Sequence, residues 1–99
     1  MPGGPPDQSF TQQLTIRNQK GLHARASAMF ARTAERFDAR ITVTREGVSV
    51  GGTSIMGLLM LAAGPGSSVL VTSSGRQARE ALDAIIALIE SGFGEGPGT

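Results

Sequence analysis

Cysteine is absent from this 99-residue chain, which excludes disulfides, thiolate metal sites and thiol nucleophiles. Tryptophan and tyrosine are absent too. Four phenylalanines are the only aromatics, so there is little surface on which nucleic-acid bases could stack. With a single histidine, His23, a metal site of several imidazoles is impossible, and no metal or cofactor is expected. Nine basic and eight acidic side chains leave a formal net charge of +1. A dedicated nucleic-acid or anionic-membrane binder usually carries a strong positive surplus. Long apolar runs are missing as well. The longest, Ile55 to Ala63, is interrupted by Gly57 and falls short of the ~20 residues that span a bilayer. The opening Met1 to Ser9 has neither the basic nor the apolar region of a secretory signal, so a cytoplasmic protein is expected.

What is present suits one compact domain. Apolar residues make up 39% of the chain, enough for one modest core. Residues 1–9 hold three prolines and two glycines, and residues 92–99 read Gly-Phe-Gly-Glu-Gly-Pro-Gly-Thr. Both ends are expected to be flexible tails, because little apolar surface offsets the entropy of ordering them. The folded unit is expected over residues 10–91.

Inside that unit the hydrophobic period switches repeatedly. Leu14 and Ile16 alternate with polar neighbours, which is strand spacing. Leu22, Ala26, Met29, Phe30, Ala34 and Phe37 recur at three and four, one face of a helix. Ile41 and Val43, then Val48 and Val50, flank Glu46-Gly47, a tight hairpin turn. Thr53 or Ser54 can cap a short helix reaching about Leu61, and Gly64-Pro65-Gly66 ends it. Val69 to Val71 form a further strand. Ala78, Ala81, Leu82, Ile85, Leu88 and Ile89 trace a last helix, for which Ser73 or Ser74 is the expected cap. The order βαββαβα predicts an α+β domain: a four-stranded antiparallel sheet with three helices on one face and the other face open to water.

Lys20-Gly21-Leu22-His23-Ala24-Arg25-Ala26 is the most informative segment. Here the helical pattern begins, so His23 stands at the first turn. First-turn amides have no partners inside the helix, and the helix dipole adds partial positive charge. Together they make an anion site. The same field favours a neutral, nucleophilic ring. Arg25 adds a cation able to grip phosphate oxygens with two donors. Such a constellation could accept a phosphoryl group. A histidine at a helix start is also commonly a plain cap, and an arginine there a solvated cation. The run Ile55 to Leu61 is more apolar than one buried face requires. Met56, Leu59 and Met60 are therefore candidates for an adaptable docking surface, with Lys20 on its positive rim.

Gly21-Leu22-His23-Ala24-Arg25, followed by Ala28, Phe30 and Phe37, resembles the active-site segment of the HPr family. These are the histidine-containing phosphocarriers of the bacterial phosphoenolpyruvate-dependent phosphotransferase system. Val50-Gly51-Gly52-Thr53-Ser54-Ile55-Met56-Gly57 resembles the family's second motif. The resemblance covers about residues 10–90 and implies the family's open-faced β-sandwich. It also implies phosphorylation of His23 on Nδ1 by enzyme I and transfer to a IIA domain. The backbone amides of Ala24, Arg25 and Ala26 and the Arg25 side chain would hold the phosphate. Ser54 matches the serine that an HPr kinase phosphorylates in many bacteria; from the residues alone it is an N-cap. The family usually has proline where this chain has Ala26, which leaves an extra amide hydrogen at the helix start. The implied protein is a monomeric carrier and not a catalyst in its own right. An alternative is a nitrogen-type or purely regulatory interaction module of the same fold. An acylphosphatase-like enzyme is disfavoured, since Asn18 is the only asparagine and no catalytic loop motif accompanies it.

Overall fold

The computed structural model describes residues 8–95. The elements run β1 (Gln8–Thr15), α1 (Ala24–Glu35), β2 (Arg40–Arg45), β3 (Val48–Gly51), α2 (Ile55–Met60), β4 (Ser68–Gly75) and α3 (Ala78–Glu90). A 3₁₀ turn, Gly92–Gly94, follows. The strands form one antiparallel sheet in the order β1-β4-β2-β3, the expected α+β architecture.

Period-2 alternation sorts the sheet into two faces. Leu14, Ile41, Val43, Val69 and Val71 turn inward and are almost fully buried. The outer face carries hydroxyl pairs such as Thr11–Thr72, 3.3 Å apart, and Thr44–Ser49, 2.7 Å apart. Phe30, Leu58, Ile85 and Ile89 supply the helices' side of the core. Glu46 and Gly47 take φ of 50° and 85°, the pair of positive values that a two-residue hairpin with the right twist requires.

Several boundaries differ from expectation. The first strand begins at Gln8, because its pairing with β4 extends to Gly75. The C-terminal tail does not begin at residue 92: Phe93 is 3% exposed and joins the core. One aromatic side chain buries enough surface to order a glycine-rich turn. Residues 1–7 and 96–99 of the expected tails lie outside the described residues. Neither Ser73 nor Ser74 caps α3. Its N-cap is Gln77, without a side-chain cap bond. Ser73 sits buried in β4, and its Oγ donates to the carbonyl of Ala78 at 2.8 Å. Among the described residues, no helix is long and apolar enough to cross a membrane.

Candidate functional site

The chain reaches the site through a tight turn. Gly21 has φ of 65°, and its amide bonds the Asn18 carbonyl at 3.1 Å. The Leu22 amide bonds the Ala63 carbonyl at 2.9 Å, fastening this turn to the loop after α2. Leu22 is buried below it. His23 is thereby left at the N-cap of α1, in extended conformation.

The ring itself acts as the cap. Its Nδ1 accepts the Arg25 amide at 3.2 Å. A backbone N–H can only donate, so Nδ1 presents a lone pair and the neutral ring carries its proton on Nε2. This assignment follows from the hydrogen-bond network. On the opposite edge Nε2 donates to a carboxylate oxygen of Glu95. The second Glu95 oxygen accepts Asn18 Nδ2 at 3.2 Å, and Asn18 Nδ2 also reaches the Gly21 carbonyl at 2.8 Å. The hydrogen bond from His23 holds the Glu95 carboxyl below its ordinary pKa. Partial desolvation opposes it, while Asn18, the His23 ring and Lys20 reinforce it.

Lys20, Arg25, Gly94 and Glu95 line a shallow cleft of about 350 Å³ beside this network. Arg25 and Ala24 are exposed, so the open start of the helix faces solvent. Ala26 is 0% exposed, which removes its amide from the solvent-facing donors. Of the three amides expected to hold a phosphate, those of Ala24 and Arg25 belong to exposed residues, and the Arg25 amide is engaged by Nδ1. The helix dipole favours an anion here. No group of three or more acidic or histidine side chains suited to a metal occurs among the described residues.

Of the expected docking residues, Met56 and Met60 are 67% and 73% exposed. Leu59 is half-buried and Lys20 exposed. Ile55, not singled out from the sequence, is also exposed. Helix α2 packs against α1, so this apolar surface adjoins the helix that His23 caps. Ser54 caps α2: its exposed Oγ accepts the Gly57 amide at 3.0 Å. Sequence reasoning missed Glu95 and the role of Asn18. The available signal was the lone Phe93 in an otherwise glycine-rich segment.

A family model described as the phosphorylation-site HPr component of the phosphotransferase system matches residues 10–91. The chain belongs to the HPr family. It is 49% identical to the phosphocarrier protein HPr of Cupriavidus necator, over 86% of this chain and 96% of that one. It is 43% identical to the phosphocarrier protein NPr of Shewanella violacea, over 85% and 92% of the respective chains. Among solved structures, HPr-C-His from Thermoanaerobacter tengcongensis superposes with a TM-score of 0.85 at 38% identity, covering 88% of this chain and 98% of that one. The chain accordingly has the phosphocarrier role of this family in the phosphotransferase system, with the family's four-stranded sheet and three helices.

Proposed function

We propose that His23 Nδ1 is the phosphoryl acceptor, charged by enzyme I from phosphoenolpyruvate and discharged to a IIA domain. One observation carries this reading: Nδ1, and not Nε2, holds the lone pair that faces the open start of α1. When that lone pair attacks phosphorus, the Arg25 amide is released from nitrogen and can donate to a phosphoryl oxygen. The exposed Arg25 guanidinium can clamp a second oxygen, and the helix dipole stabilises charge on the group. The phosphorus–nitrogen bond keeps a high transfer potential, so the group can be passed on. Partners supply the remaining catalytic groups, and this chain is turned over as a carrier in the cytoplasm.

Met56, Met60 and the half-buried Leu59 form the apolar part of the docking surface, with Lys20 and Arg25 as its basic rim. Ser54 is a regulatory phosphorylation site for an HPr kinase. Its hydroxyl already sits at the N-terminus of α2, and a phosphate there places about −2 charge beside the docking surface.

Incubation with enzyme I and phosphoenolpyruvate, followed by intact mass, tests the reading. One acid-labile phosphate is expected on the wild type and none on His23→Ala. Equal labelling of both proteins would refute it. Similarity to a protein named NPr favours a second reading, in which the same chemistry serves regulators in place of sugar uptake. Transfer from the charged protein to a purified regulatory IIA domain, but not to a sugar-specific one, would select it.

A further inference from the structure

The carboxylate of Glu95 meets the imidazole on the edge opposite Nδ1. Two features show that this seat is built. Phe93, buried in the core with φ of 55°, anchors the segment that delivers Glu95. Asn18, 2% exposed, holds the carboxylate with Nδ2 while its Oδ1 stays buried without a partner. Turning the amide over would set Oδ1 against two acceptors, the Gly21 carbonyl and the Glu95 carboxylate. The orientation is kept although a buried acceptor without a partner is costly in general.

We propose that Glu95, seated by Asn18, is a positioning residue for phosphoryl transfer through His23. It fixes the ring with Nδ1 toward the start of α1 and balances the charge that transfer places on the imidazole. The inference rests on His23 being the acceptor. In the forward step the Nδ1 lone pair forms a bond to phosphorus. The bond between phosphorus and the enzyme I donor breaks, and its electron pair leaves with the donor. Nε2 keeps its hydrogen throughout, so the phosphorylated ring is cationic. Glu95 is the anion in contact with that proton, and it shares the cleft with the cations Lys20 and Arg25. Passing the group on restores the neutral ring. A carboxylate fixed on Nε2 thus favours the charged intermediate, much as a buried acid orients and supports a catalytic histidine elsewhere.

The test uses the full chain and its one histidine, so ring signals need no assignment. Proton NMR of the unphosphorylated wild type should show a slowly exchanging ring N–H resonance displaced downfield. Glu95→Gln should move it upfield, and Glu95→Ala should abolish it, with the amide spectrum otherwise that of a folded protein. Phosphoryl uptake from enzyme I should slow roughly tenfold in Glu95→Gln with KM little changed, since the interaction matters most once charge has developed. An unaltered ring signal in Glu95→Ala, or an unaltered uptake rate in both variants, overturns the proposal. Failure of the wild type to take up phosphate would instead refute the carrier reading, which the ring spectrum does not probe.

Discussion

Gly21 and Ala63 meet so closely that a Cβ on Gly21 would lie 2.4 Å from the Ala63 carbonyl oxygen. That contact explains how the turn before His23 is joined to the loop after α2. It also fixes what residue 21 can be, because φ of 65° already disfavours any side chain. Gly21→Ala should therefore destabilise the fold by about 2 kcal/mol or more, combining left-handed strain with a clash against backbone. Urea denaturation would measure it. Phosphoryl uptake should fall by more than stability alone explains, because His23 and Arg25 would shift relative to each other.

Phe93 should matter to both the core and the site. Truncation to alanine removes a nearly fully buried ring, with an expected cost of about 3 kcal/mol. Removing the anchor also frees Glu95 from the imidazole. Thermal unfolding of Phe93→Ala should show the lower Tm, and its downfield ring N–H signal should weaken in the still-folded protein at low temperature. A lower Tm with the signal retained would mean that Asn18 alone seats the carboxylate.

Ser54 separates a structural role from a regulatory one. Ser54→Ala loses the bond from the Gly57 amide, and should cost about 1 kcal/mol of stability with little effect on phosphoryl uptake. Ser54→Asp can still cap α2 but adds a negative charge two residues from the exposed Met56. Its stability should stay within a few tenths of a kcal/mol of wild type, while uptake from enzyme I slows roughly tenfold. Rates and denaturation midpoints for the two variants would show opposite patterns.

Local pattern made most of the fold legible. The three-and-four spacing from Leu22 to Phe37 and the alternation around Glu46-Gly47 each reflect a period that burial enforces. His23 and Ser54 were legible for a similar reason, since helix starts need side-chain acceptors. Ser73 misled because a serine ahead of a helical pattern looks like a cap, whereas here its hydroxyl satisfies the Ala78 carbonyl from inside the sheet. Glu95 was hidden because its partners, His23 and Asn18, lie 72 and 77 residues away. Composition marked its surroundings as a tail, and only tertiary packing of Phe93 reverses that reading.

Acid should loosen the site through Glu95. Its folded-state pKa lies below the ordinary value of 4.5, chiefly because the carboxylate accepts the His23 Nε2 proton. A group shifted in that direction binds protons less readily in the folded than in the unfolded state. Its contribution to stability is therefore complete above pH 4.5 and declines as pH falls through the lowered folded-state pKa. Glu95→Gln lacks this dependence. Chemical denaturation of wild type and Glu95→Gln at pH 7, 5, 4 and 3 should show the wild type more stable at the two higher values. The gap should narrow only at the two lower ones. A gap that stays constant down to pH 3 would mean that the carboxylate gains nothing from its contact with the ring.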